Sequence, residues 1–288
     1  DGRVAVSFGG AVEGSDETLS DLLDDIDALF EEPPLQSTTR INADALTITL
    51  EDARSGRIWQ ASNAALQLMR TDEALSIALT SELFNGTENL AELEFDLRRD
   101  RATGRSDFAA AIRDMPARDI AAQSPILSYL GVLDAPISGA VEGSLDELGL
   151  LEGMRAQLEI GEGSLRPSQQ TRPIAFQSGL AAFAYDPATE RLDFQNISVE
   201  TEAGFVAAKG RAYLRERVDG WPNVLLMQIE VEDTKIAPGV VLEDALSITS
   251  GHADMRLRLD PFTLDLGAVH ISDGTTAINA EGWIAAQD

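Results

Sequence analysis

The feature that most constrains this chain is the stretch 135–164, APISGAVEGSLDELGLLEGMRAQLEIGEGS. Side chains on an extended strand alternate between faces, so Ile137, Gly139, Val141, Gly143 and Leu145 share one side. A polar turn around 146–149 follows. Met154, Ala156, Leu158 and Ile160 then alternate with Arg155, Gln157 and Glu159. Two such strands joined by a short turn make an antiparallel hairpin with one apolar and one wet face. The small residues of the first strand are expected to leave room above the apolar face.

Most of the chain repeats this unit. Residues 4–8 alternate as a strand, and Ser15 is placed to cap a helix over 15–31. The stripe Leu19, Leu22, Leu23, Ile26, Leu29 and Phe30 lies at helical spacing, and Pro33-Pro34 stops it. Asp24, Asp25 and Asp27 point around that helix in different directions and lack the loop glycine and distal Glu of a calcium hand, so they read as a solvated face. Strands follow over 41–112. In them Leu46, Ile48 and Leu50 share a face, and Leu93, Phe95 and Leu97 alternate with Glu92, Glu94 and Asp96. Residues 119–133 break the rhythm and read as one or two short helices. Strands resume over 174–185, 191–201, 205–214 and 224–232, the last placing Leu225, Met227 and Ile229 on one face. A short helix is expected over 238–246 and strands over 255–259, 262–271 and 275–285. Hairpins at 46–63 and 180–197 share an Asp-to-Arg turn pattern, Asp52 and Arg57 matching Asp186 and Arg191.

These readings predict a mainly β fold: a long, curved antiparallel sheet built from repeated hairpins, with a few short helices. Its parts are a leading strand and amphipathic helix (1–36), a first meander (37–118), a helical interruption (119–134) and a second meander (135–288), all within one continuous fragment. The 288 residues are 44% hydrophobic but only 6% aromatic, so burial rests on Leu, Ile, Val and Ala. There is no cysteine, hence neither a disulfide framework nor thiolate chemistry. No run approaches the apolar length of a membrane-spanning helix. The first residue is Asp1 with no leader-like segment behind it, which reads as a piece of a longer protein. The net charge is −27, with lysine only at 209 and 235. A field of that sign repels nucleic acid and anionic headgroups.

Little here suggests catalysis. His252 and His270 are the two histidines, and neither stands in a zinc-binding or hydrolase motif; His270 reads as an ordinary sheet residue. No phosphate loop or nucleophile elbow is present. Paired-carboxylate glycosidase chemistry stays open on spacing, although Trp59, Trp221 and Trp283 are the only tryptophans for sugar stacking. A long sheet with one apolar face must cover that face with another sheet, with helices or with an apolar ligand.

The pattern Pro-Ile-x-Gly-x-Val-x-Gly-x-Leu-x-x-x-Gly-x-Leu from Pro136 to Leu151, followed by Leu158-Glu159-Ile160-Gly161-Glu162-Gly163, resembles the AsmA-like family of Gram-negative bacteria. The resemblance is to its YhdP/TamB-like branch of bridge-type lipid transport proteins, and it extends from residue 35 to the end. It implies a periplasmic protein, anchored in the inner membrane through parts outside this chain. Such a sheet folds into a gutter or taco whose apolar inside conducts phospholipid acyl chains between inner and outer membranes. It implies no catalytic residue. Two isolated histidines, no cysteine and no phosphate loop predict that the chain needs no cofactor or metal to fold. By face, the groove candidates are Leu46, Ile48, Leu50, Leu93, Phe95, Leu97, Met154, Leu158, Ile160, Leu225, Met227 and Ile229. The other readings that the residues leave open are a structural or adhesive all-β module with a closed core, and a polysaccharide-acting enzyme.

Overall fold

Period-two alternation becomes strand wherever one face is buried. The computed structural model describes residues 19–33, 35–51, 58–84, 90–123, 125–166, 172–218, 221–237, 246–275 and 277–285. Helix α1 (Leu19–Leu29) and a 3-10 turn (Leu35–Ser37) lead into β1 (Arg40–Glu51), β2 (Ile58–Arg70), β3 (Ala74–Phe84), β4 (Ala91–Asp100) and β5 (Ser106–Pro116). Then come α2 (Ala117–Gln123), a 3-10 helix (Pro125–Val132) and the short β6 (Leu133–Asp134). The organising hairpin is β7 (Pro136–Leu145) and β8 (Leu151–Ile160), followed by β9 (Gly163–Leu165), β10 (Ile174–Phe176) and β11 (Ser178–Asp186). The chain continues through β12 (Arg191–Thr201), β13 (Gly204–Val218), β14 (Trp221–Ile236), β15 (Leu246–Ile248), β16 (Ser250–Arg258), β17 (Thr263–Ser272) and β18 (Ala277–Ala285).

Among the described residues, fifteen strands join one antiparallel sheet in the order β1-β2-β3-β4-β5-β7-β8-β11-β12-β13-β14-β16-β17-β18, with β15 also paired to β14. A second sheet has the order β10-β9-β6. The chain divides into two compact units, Asp1–Met115 with Gly139–Met154, and Pro116–Ser138 with Arg155–Asp288.

The turn of the organising hairpin is built by Asp146, whose carboxylate accepts the backbone N–H groups of Leu148 and Leu150 at 3.0 and 2.8 Å. Gly149 takes φ +79° there, a left-handed conformation that a side chain disfavours. At Gly143 the expected room is taken up: a Cβ there would lie 2.6 Å from the Gly153 carbonyl oxygen and 2.8 Å from the Phe108 ring. The small residue there serves close packing.

Other departures from the sequence reading have local causes. Residues 174–185 are two strands in different sheets, since β10 pairs β9 while β11 pairs β12. The helical interruption starts at Ala117, and Pro125, which has no N–H to continue α2, opens the 3-10 helix. Leu246, placed above in a helix, lies in a strand, with β15 taking β14 as partner through Ile236↔Leu246. The rest of that expected helix, the strand at 4–8, the Ser15 cap, and Asp52 and Arg57 lie outside the described residues.

Candidate functional site

In the first unit the registers align apolar residues into rows across the strands. Ile41, Leu68, Ile77, Leu97 and Phe108 stand opposite one another from β1 to β5. Ala43, Leu66, Leu79, Phe95 and Ala110 form the next row. Beyond it Leu46 stands opposite Ala64, and Ser81, Leu93 and Ile112 stand opposite one another, the two groups being separated by a register shift between β2 and β3. Strict alternation does not carry this face past Ala43 or Ala64. The chain takes three residues where its partner takes two, from Ala43 to Leu46 on β1 and from Ala61 to Ala64 on β2. Each gap holds a residue with positive φ, Ala45 and Asn63. These are β-bulges, which absorb one residue and restore the phase.

Helix α1 covers the first row. Leu23 and Phe30 are buried with Leu75 and Leu97, and Leu19, Ile26, Phe95 and Phe108 pack around them. The helix is fastened at its rim by arginines from the strand ends. Arg70 and Arg101 both reach Asp27, at 2.7 and 3.0 Å, and Arg99 reaches Asp24 at 3.0 Å. The expected solvated acidic face is therefore partly a clamp. Asp27 is only 26% exposed, because cations far away in sequence converge on it.

Sequence-predicted residues fall into three groups. Leu97 (3% exposed), Met154, Leu158 (1%) and Leu225 are buried against protein. Leu46, Leu93, Phe95, Ile160, Met227 and Ile229 are half-buried. Ile48 and Leu50 lie in β1, with Ile48 opposite Ala61 and Leu50 opposite Trp59. In the second unit, one row runs Tyr185, Leu192, Ala212, Met227, Met255 and Leu266. Its neighbour runs Phe183, Phe194, Gly210, Ile229, Ala253 and Val269. The Phe183 and Phe194 rings lie 5.6 Å apart in a tilted pair. Burial is complete at Leu192 and Ala212 and partial at Met227, Met255 and Leu266.

Neither set of rows carries a charged side chain. Ser81 is the polar member in the first unit; its hydroxyl is buried and has no hydrogen-bond partner. The reverse of the sheet is charged. Arg113 pairs with Glu92, and Lys209 reaches Glu232 at 2.6 Å. Sequence reading missed the partners Ala64, Ser81 and Ile112, because bulges and long-range register set their phase. It also missed that α1 sits on Leu97; the matched apolar stripe of the helix was the available signal.

Burial pushes the Tyr129 hydroxyl far above its usual range, and that hydroxyl also has no partner. No cluster of three or more His, Asp or Glu residues among the described ones could hold a metal. What the rows offer chemically is an uncharged surface that excludes water. Among the described residues no helix is long and apolar enough to cross a membrane. No family model matches this chain, and neither a curated protein nor a solved structure shows significant similarity to it.

Proposed function

We propose that this chain is a segment of a periplasmic AsmA-like protein whose apolar sheet faces form a curved groove that conducts phospholipid acyl chains between inner and outer membranes. The supporting observation is the set of uncharged cross-strand rows, which continue half-buried beyond the part that α1 covers. Burying a methylene yields about 0.8 kcal/mol, so roughly 13 kcal/mol opposes a bare 16-carbon chain in water. An apolar row of this kind removes most of that cost while the acidic reverse face stays wet. Leu46, Leu93, Ile160, Met227 and Ile229 line the path, whereas Leu97, Met154, Leu158 and Leu225 support it from within the packed protein and Phe95 packs at the edge of the part that α1 covers. Membrane contact and inner-membrane anchoring are supplied by parts of the full-length protein outside this chain. No enzymatic step and no cofactor enter this reading.

A second reading, a structural module with a closed core, is favoured by the burial of those four supporting side chains. Photocrosslinking separates the two. Benzoylphenylalanine at Leu93 or Met227 is expected to give phospholipid adducts in Gram-negative cells, and at Glu94 or Gln228 on the reverse face none. Equal labelling on both faces, or no lipid adduct at Leu93 and Met227, would overturn the lipid reading.

A further inference from the structure

The chain contains two histidines, and the fold brings them together. His252 on β16 and His270 on β17 stand directly opposite each other in the register, with stacked rings 5.5 Å apart between centres. They lie on the charged reverse face, away from the apolar row that holds Ile229 and Ala253. The next strand places Asn279 opposite His270, with its Oδ1 2.7 Å from the imidazole Nδ1. An amide oxygen only accepts, so Nδ1 carries the proton and the lone pair of His270 is left on Nε2. A ligating histidine is commonly oriented in this way, by a hydrogen bond from its other nitrogen. On the opposite side Glu230 faces His252 across β14 and adds negative potential.

We propose that His252 and His270 form a two-imidazole site for a divalent transition metal, with water completing the coordination. A metal about 2.0–2.1 Å from each nitrogen needs the two nitrogens within about 4 Å of one another. Ring nitrogens lie on the ring perimeter, so turning the exposed His252 side chain can bring its nitrogen closer to His270 Nε2 than the ring centres are, while Asn279 keeps the His270 ring in place. Imidazole selects the later first-row ions, and divalent copper heads the affinity order. The net charge of −27 concentrates such cations at the surface. This site is independent of the lipid reading.

Titrating the full chain with divalent copper, followed by electron paramagnetic resonance, tests the proposal. One copper per chain coupled to two nitrogens is expected. His252→Asn or His270→Asn should leave one nitrogen and weaker binding, and the double variant only oxygen ligation. Asn279→Ala should weaken binding roughly 10–100-fold while keeping both nitrogens. Circular dichroism checks that each variant folds; where one does not, the wild-type spectrum still decides. Oxygen-only copper in the wild type, or a two-nitrogen signal that survives in the double variant, would overturn the site.

Discussion

Asp100 and Asp186 each have a carboxyl pKa lowered from its ordinary value. For Asp100 the first cause is the Thr103 backbone N–H, then the Thr103 hydroxyl; for Asp186 it is the Thr189 hydroxyl. Each carboxylate organises the turn that follows its strand, as the 2.8 and 2.7 Å contacts show. A carboxyl whose folded pKa is depressed contributes stability above its unfolded value, 3.8 for these groups. That stability is lost as pH falls through the still lower folded value. The Asp100→Asn, Asp186→Asn double variant is therefore expected to lose less stability than wild type between pH 6 and pH 3, both being read as urea midpoints. Parallel acid limbs would show that these turns do not contribute. Asp186 was legible in the sequence as a hairpin residue; its threonine partner was visible beside it, but the strength of the bond was not.

At the scale of elements, α1 has an apolar stripe that the sequence displays and a target that it does not. Phe30 and Leu23 reach Leu75 and Leu97 because β3 and β4 bring those side chains beneath the helix. Phe30→Ala would leave a cavity under the helix and is expected to cost about 3–5 kcal/mol. Asp27→Ala breaks two pairs that are partly screened by solvent and is expected to cost about 1–2 kcal/mol. Chemical denaturation checks both. The Asp27 effect should shrink at high salt and the Phe30 effect should persist, since only the former is Coulombic. If the order were reversed, the arginine clamp rather than apolar burial would hold α1.

Over the whole molecule, acidic residues exceed basic ones by 49 − 22 = 27. Screening weakens the arginine pairs but also relieves the repulsion among the unpaired carboxylates. Exposed pairs contribute little each, so relief is expected to win. The melting temperature should rise between about 0.01 and 0.1 M sodium chloride, as the Debye length falls from about 30 to about 10 Å. A fall over that range, followed by calorimetry, would mean that the ion pairs outweigh the repulsion.

Local pattern determined the mainly β fold, the extent of β7, the alternation within β4 and β8, the stripe of α1 and the helical break near 120, because period 2 and period 3.6 reside in neighbouring residues. Tertiary structure alone decided how these pieces meet. It divided 174–185 between two sheets, because β9 and β12 compete for adjacent parts of that segment. It set the bulges at Ala45 and Asn63, buried Leu97 and Leu158 while leaving Leu93 and Met227 half-covered, gave Asp27 its arginines, and paired His252 with His270. Register between strands and the seating of a helix are relations between distant residues, and no pattern within either segment encodes its partner.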